Sequence, residues 1–306
     1  MRNVQTDLAV EAHENYVGDG ENSPDGVEVN IKEFGKIRRT LVKIFNSNGE
    51  NTLGKKQGNY ITVEYGKLQF MPDDEMETLT EIVADEISDL LSKKRVPADG
   101  NVLVVGLGND DITPDAVGPL TVSKLEITRH LFDYLPKRLT ENMRSVSALA
   151  PGVLGTTGIE TQEIIGAITR KTKPAAIIAI DALASRSMDR VGRTIQIADT
   201  GITPGSGVGN KRKGIESESL GVPVIAVGVP TVADAATVAD DAVSAVLKKI
   251  SSEEIDDDTR YGFVKNAMGE EAASMMVTLK EIDVIVDNIS KILADGMNRA
   301  LHNGRE

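Results

Sequence analysis

The sequence NVLVVGLGNDDITPDAVGPL, residues 101–120, decides the fold class of this chain. It starts with a continuous apolar run that ends in glycines, which is typical of a buried parallel strand. A turn with Pro114 follows, and a helical pattern begins at about residue 115. Similar units recur, with predicted strands at 145–153, 174–183, 193–202 and 222–230 and predicted helices at 73–95, 159–171, 231–250 and within 251–306. Strands that alternate with helices predict an α/β fold with three layers, in which helices flank a mainly parallel central sheet.

The chain before residue 73 predicts an additional small antiparallel β layer. Apolar residues alternate within 28–46, and 59–66 has the composition of a strand. The residues between them, 46–59, are rich in Asn and Gly, as turns are. Residues 1–27 are polar and lack a periodic apolar pattern, so they predict an exposed, partly extended arm.

The composition excludes several functional classes. The 306 residues include 34 Lys and Arg against 47 Asp and Glu, a net charge of −13, so no basic surplus exists to neutralise nucleic-acid phosphates. The chain has no cysteine, which rules out disulfides, thiolate metal sites and cysteine nucleophiles. Neither a secretory signal nor an apolar stretch long enough to span a bilayer is visible, so we expect a cytoplasmic protein without a membrane partner.

Two aspartates follow predicted parallel strands and are candidate catalytic residues. Asp115 lies in the turn after the first strand, and Asp181 ends the apolar run of 174–183. The carboxyl ends of parallel strands meet at one edge of a sheet, where sites form. Paired carboxylates can share a proton, so that one acts on water as a general base and the other as a general acid. The structural alternatives are a first-turn carboxylate at Asp115 and an ion pair between Asp181 and Arg186.

Two further features have competing interpretations. The glycines after the first strand resemble a dinucleotide-binding fingerprint, but Asp111 stands where the next glycine is required. The turn-rich segment 201–221 contains Lys211, Arg212 and Lys213. Long loops are often functional; the alternative is a solvated surface loop.

Several motifs together closely resemble the spore germination protease family of endospore-forming bacteria. They extend over most of the chain and are TDLAVEA (6–12), VGLGN (105–109), TPDAVGP (113–119), TRHLF (128–132), LAPGVLGTTGIET (149–161), AIDALASR (179–186) and GVPVIAVGVPTV (221–232). The resemblance implies an atypical aspartic endopeptidase that is made as a zymogen in the forespore. It also implies a homotetramer, and small acid-soluble spore proteins as substrates that are degraded during germination.

The resemblance also implies roles for particular residues. The two essential aspartates of the family fall on Asp115 and Asp181. The family's substrate motif contains glutamates, so we expect the loop 203–219 to border the substrate groove, where Lys211, Arg212 and Lys213 would meet acidic substrate residues. The family's substrates are cut after the acidic residue of a sequence similar to Thr-Glu-(Phe/Ile)-Ala, and Thr6-Asp7-Leu8-Ala9 has the same order of side-chain types. We therefore expect self-cleavage between Asp7 and Leu8, which divides the chain into a propeptide, 1–7, and one peptidase domain, 8–306.

A more distant resemblance links the chain to hydrogenase-maturation peptidases, which hold a metal with two carboxylates and a histidine. Their acidic residue aligns with Asp115, but this chain has no histidine in an equivalent motif, and His130 lies well beyond Asp115. We therefore expect neither a metal nor a cofactor. A metal-dependent maturation peptidase is the alternative enzyme, and a non-catalytic carrier that binds a basic partner is the alternative from another class.

Overall fold

The computed structural model describes residues 6–18, 22–140, 143–205, 213–250, 255 and 257–302. Nine strands lie in this part of the chain: β1 Val27–Phe34, β2 Ile37–Ile44, β3 Gly58–Glu64, β4 Val102–Gly106, β5 Val146–Leu149, β6 Ala176–Ala184, β7 Thr194–Ala198, β8 Val224–Asp234 and β9 Met276–Val277.

The same residues form thirteen α-helices and two short 3₁₀ helices, Leu68–Phe70 and Thr113–Asp115. The α-helices are α1 Ala9–Val17, α2 Ser47–Leu53, α3 Asp73–Lys93, α4 Val117–Val122, α5 Leu131–Tyr134, α6 Lys137–Thr140, α7 Leu154–Thr157, α8 Thr161–Thr172, α9 Ser217–Leu220, α10 Ala235–Ile250, α11 Asp257–Met268, α12 Glu270–Ala273 and α13 Ile282–His302. Within the described ranges, none of these helices is both long enough and apolar enough to cross a membrane.

One mixed sheet organises the fold, with strand order β1-β2-β3-β7-β8-β6-β4-β5 and β9 paired to β8. The strands β8, β6, β4 and β5 are parallel to one another and form the half that the α/β pattern predicts. The strands β1, β2, β3 and β7 are antiparallel, and β7 joins the two halves by pairing with both β3 and β8. The predicted α/β fold is confirmed, and the N-terminal antiparallel strands extend the same sheet.

Helices cover both faces of the parallel half. Val102 and Val104 of β4 face the core cluster that also contains residues of α3, α4 and α13. Leu103 and Val105 point to the opposite face, where they pack with Ile165 of α8. This alternation along a strand that is buried on both sides explains the continuous apolar run in the sequence.

The prediction of an exposed arm is wrong for the residues that form α1. Leu8 and Ala9 are completely buried, and Ala9 packs against apolar residues of the antiparallel strands. Leu8 and Val10 pack with Leu183 of β6. A short apolar island in a polar segment gives little periodic signal in the sequence. The helix is stabilised by its contacts with strands that are distant in the sequence.

One boundary and one additional short helix also differ from the prediction. β8 continues to Asp234, and α10 begins at Ala235 rather than at residue 231. The reason is that β8 pairs with β6 as far as Val232 and with β9 over its last two residues. The turn-rich residues 46–59 contain the short helix α2, which begins where the Asn46 side chain accepts a hydrogen bond from the Gly49 N–H. Asn favours helix N-caps as well as turns, so composition alone did not separate the two.

Candidate active site

Asp181 lies in the middle of the sheet at the point where a neighbouring strand ends. The last residue of β4, Gly106, pairs with Ile180, so Asp181 is the first residue of β6 beyond β4. On its other side Asp181 pairs with Gly228 of β8. The residue is 5% exposed, and one carboxylate oxygen accepts a hydrogen bond from the Ala182 N–H at 3.0 Å.

Asp115 reaches the same edge of the sheet from the turn after β4. It ends the 3₁₀ helix Thr113–Asp115, and its carboxylate accepts a hydrogen bond from the Asn109 N–H at 2.8 Å. Ala116 is the N-cap of α4, so Asp115 precedes that helix and is not a residue of its first turn. Gly108 has a φ of +111°, and a side chain there would collide with the Asp115 backbone. The turn therefore closes tightly and fixes Asp115.

Two glycines let α4 lie directly on β4. A Cβ atom at Gly118 would lie 2.5 Å from the Leu107 nitrogen and still nearer to its oxygen. A Cβ atom at Gly106 would lie 2.5 Å from the carbonyl carbon of Gly118. Both contacts are with backbone, which cannot rotate away as a side chain can. The two glycines therefore set how closely the turn that carries Asp115 approaches the end of the sheet.

A cavity of about 370 Å³ opens at this edge of the sheet, and both aspartates line it. The residues that surround it lie near or beyond the carboxyl ends of all four parallel strands, namely Gly108 after β4, Gly152 and Val153 after β5, Ala182 in β6 and Thr231 in β8. Loops at the carboxyl ends of parallel strands are the usual position of a site in this fold class. The cavity therefore brings together the two carboxylates that the sequence analysis had paired.

Asp7 lines the same cavity. Its backbone N–H donates to the Ala184 carbonyl at 3.4 Å, and its carboxylate accepts from the Ala184 N–H at 3.0 Å. The segment before α1 is thus attached to the last residue of β6, three positions from Asp181. The structure brings the proposed cleavage site to the candidate catalytic residues.

The carbonyl oxygen of Asp7 has two side-chain donors. The Lys55 Nζ lies 3.2 Å from it, and the Gln196 Nε2 lies 3.1 Å from it. Burial lowers the pKa of the Lys55 ammonium, while the charges of Asp7 and Glu11 act in the opposite direction. Sequence reasoning missed both residues. Gln196 gave a signal, because it is a polar residue inside an apolar strand, whereas Lys55 lies in a turn-rich stretch and gave none.

Glu11 anchors α1 next to the site. The residue is 3% exposed, and its carboxylate accepts hydrogen bonds from Thr6, from the Ser185 hydroxyl at 3.0 Å and from the Arg186 N–H at 3.0 Å. Arg190 completes the anchor, with a nitrogen 3.5 Å from Glu11. The buried carboxylate therefore ties both the segment before α1 and the helix itself to the end of β6.

We expect Glu11→Ala to lower the free energy of unfolding by about 2 kcal/mol, because buried donors lose their acceptor. Glu14 offers a matched control on the same helix, since it also binds Arg190 but its side chain is half exposed. Glu14→Ala should cost less than about 1 kcal/mol. Denaturant unfolding followed by circular dichroism measures both, and equal losses would contradict the anchoring role of Glu11.

The basic triplet is described only in part. Lys211 and Arg212 lie outside the described residues, and Lys213 is exposed. Pro204 and Gly205, at the start of the same loop, line the cavity.

In the described part of the chain, no group of three or more acidic or histidine side chains is arranged to hold a metal ion.

Comparison with known proteins places the chain in a family. The family model described as germination protease matches residues 4–268. The germination protease of Clostridium acetobutylicum is 46% identical over 100% of this chain and 97% of the relative. That of Bacillus velezensis is 41% identical over 98% of this chain and 93% of the relative.

The chain also has a similarity to one solved structure, the NiFe hydrogenase maturation protease HycI from Thermococcus kodakarensis. It is 17% identical, covers 68% of this chain and 98% of its own, and has a TM-score of 0.31. The sequence matches extend over nearly the whole chain. The chain therefore belongs to the germination protease family.

Proposed function

We propose that this protease is an endopeptidase, made as a self-processing zymogen, that cleaves small acid-soluble spore proteins during spore germination. Asp115 and Asp181 are its catalytic carboxylates. The observation that carries the proposal is that both aspartates and Asp7 line one cavity. By resemblance to the family, the proposal includes a homotetramer in the forespore and later in the spore core.

The proton transfers of the reaction need only water and the two carboxylates. One carboxylate is ionised and takes a proton from water, whose oxygen attacks the carbonyl carbon of the peptide. The other carboxyl group is protonated and gives its proton to the departing nitrogen. A backbone N–H fixes one oxygen of Asp115 and one of Asp181. Each carboxylate therefore keeps a defined orientation towards the water.

The segment around Asp7 supports the zymogen part of the proposal. Residues 1–7 are the propeptide, and residues 8–306 are the peptidase domain. The Leu8 side chain is completely buried, in a cluster that includes Leu183 and is contacted by Ile202. This cluster suits the large apolar residue that follows the cut, and Asp7 lines the aspartate cavity as the acidic residue of a substrate would.

Self-cleavage is tested by incubating the full chain at mildly acidic pH and reading the N-terminus by mass spectrometry. Wild-type protein should lose residues 1–7 and begin at Leu8. Protein with Asp115→Ala should stay intact, because a general acid–base group contributes on the order of 100-fold or more to the rate. Mild acid should favour the reaction, since a carboxylate pair works with one proton shared between its members.

Two outcomes would contradict self-processing. Loss of seven residues in both samples would assign the cut to a contaminating protease. Loss in neither sample would show that Asp7–Leu8 is not a processing site. Adding purified small acid-soluble spore protein to the same samples tests the substrate separately, because only the wild type should degrade it.

We also propose that Lys211, Arg212 and Lys213 border the substrate groove and meet the acidic residues of the substrate. Reversing all three charges should raise KM for spore protein, and the salt dependence of KM should become weaker. Steady-state kinetics at two ionic strengths measure both effects. The alternative is that the triplet offsets nearby Glu216 and Glu218, in which case KM and its salt dependence stay unchanged.

A further inference from the structure

We propose that Lys55 and Gln196 form a carbonyl clamp, which binds the carbonyl oxygen of the peptide bond that is cut and stabilises the negative charge that develops on it. The first bond held is Asp7–Leu8, and after its cleavage the clamp receives the corresponding carbonyl of the protein substrate. The inference rests on the proposed function, because it takes Asp7–Leu8 as a bond that the enzyme cuts.

The hydrogen bonds of the clamp are all made to backbone. Lys55 Nζ donates to the carbonyl oxygens of Thr6 at 2.7 Å and Asp7 at 3.2 Å. Gln196 Nε2 donates to the Asp7 carbonyl at 3.1 Å, and its Oε1 accepts from the Ala9 N–H at 2.7 Å. Gln196 thus holds the chain on both sides of Leu8. Because the contacts use no side chain of the bound segment, a different sequence can be held in the same way.

The clamp lies beside the aspartates, with Asp7 of the propeptide between them. A second cavity of about 300 Å³ is lined by Lys55, Gln196 and Tyr60. Asp7 and Leu183 line both this cavity and the one that contains Asp115 and Asp181. Removing residues 1–7 takes away Asp7, which lies between the two cavities. A continuous groove from the aspartates to Lys55 would then be open to a protein substrate.

Two carboxylates can transfer protons, but neither is a positive donor to the carbonyl oxygen. The clamp supplies such a donor. When the water oxygen bonds to the carbonyl carbon of Asp7, the electron pair of the C=O double bond moves onto the carbonyl oxygen, between the Lys55 ammonium and the Gln196 amide. The water proton passes to the ionised carboxylate. The C–N bond then breaks, the Leu8 nitrogen takes the proton of the carboxylic acid, and the carbonyl re-forms. A positive donor at that oxygen binds the intermediate more tightly than the neutral peptide, which lowers the barrier.

The first test compares two lysines in the full chain. Lys55→Met removes the ammonium but keeps an unbranched side chain. Lys43→Met is the matched control, because Lys43 lies 3.8 Å from Glu28 and lines neither cavity. The first-order rate at which residues 1–7 are lost is measured by mass spectrometry. Lys55→Met should lower that rate on the order of 100-fold, as removal of one oxyanion donor does. Lys43→Met should leave it unchanged.

A chemical rescue separates the charge from packing. The chain contains no cysteine, so Lys55→Cys introduces the one thiol that 2-bromoethylamine can alkylate. Alkylation restores an ammonium at nearly the length of lysine, within the same folded preparation. The cleavage rate should be low before alkylation and recover at least about tenfold after it, with the same thermal unfolding temperature in both states.

A third measurement separates catalysis from anchoring of the propeptide. The Lys55→Cys variant, processed to Leu8 by long incubation, is assayed on small acid-soluble spore protein, with and without alkylation. The clamp predicts that alkylation raises kcat and leaves KM nearly unchanged. A residue that merely anchored residues 6 and 7 would affect self-cleavage and leave this kcat unchanged.

The results separate failure of the clamp from failure of the proposed self-processing. A Lys55→Met rate equal to wild type, an alkylated Lys55→Cys variant that stays as slow as its free thiol form, or a kcat that does not respond to alkylation would each overturn the clamp while leaving self-processing intact. Wild-type protein that never loses residues 1–7 would refute the proposed self-processing, and the clamp on Asp7–Leu8 would fail with it.

Discussion

Replacing Asp115 or Asp181 by alanine should abolish peptide hydrolysis while the fold is retained. Each variant removes one member of the carboxylate pair, and loss of an essential acid or base should cost on the order of 100-fold or more in turnover. The fold should persist because the main-chain pairing of β6 with β4 and β8 does not depend on the Asp181 carboxylate. Turnover of small acid-soluble spore protein and far-ultraviolet circular dichroism measure the two properties.

Asp111→Ala is the matched control for this prediction. Asp111 is exposed in the same turn as Asp115, and it does not line the cavity. Its removal changes the charge of the turn by the same amount and should leave turnover near that of the wild type. If Asp115→Ala or Asp181→Ala keeps near-normal turnover, the carboxylate pair is not the catalytic machinery. If Asp111→Ala is equally inactive, the general charge of the turn matters more than the position of Asp115.

Gly118→Ala should destabilise the protein by about 3 kcal/mol or more, at the upper end of what overpacking costs. The added methyl group would lie 2.5 Å from the Leu107 nitrogen and nearer still to its oxygen. Neither backbone atom can move without shifting α4 away from β4. Since Asp115 is held between these elements, the protein that remains folded should also lose turnover.

Gly262→Ala provides the matched control, because it makes the same chemical change in a helix with open space around it. Gly262 lies in α11, and nothing lies within 4 Å of a Cβ atom placed there. Alanine should stabilise this position by about 0.5–1 kcal/mol. Denaturant unfolding of both variants should therefore give changes of opposite sign. A loss below about 1 kcal/mol at Gly118 would mean that α4 can move away from β4 at little cost.

The parallel half of the fold could be predicted because its signals are local. β4 is a run of five residues that are all buried, and such strands appear in the sequence as uninterrupted apolar stretches. The helix α3 shows its apolar face every three to four residues. Asp115 and Asp181 could be paired from sequence for a related reason. The carboxyl ends of adjacent parallel strands must lie at one edge of the sheet, whichever residues they carry.

The boundaries that failed depend on pairing over long distances. The segment of α1 has only a short apolar island, so its helical state comes from burial against strands that are far away in sequence. The end of β8 at Asp234 is set by its pairing with β6 as far as Val232 and then with β9. Neither fact is contained in the local pattern, because the same residues could begin a helix if no neighbouring strand were present.

The sequence by itself determined the alternation of the main strands and helices after residue 73, the absence of cysteine chemistry and the position of two aspartates near the carboxyl ends of parallel strands. Only the tertiary structure decided that Asp7, Lys55 and Gln196 meet at one peptide bond, with Gln196 removed from Asp7 by 189 positions in the chain. It also decided that β7 joins an antiparallel half to a parallel half in one sheet. Periodicity records which face of an element is buried, whereas the partners of that face are fixed by the packing of the whole sheet.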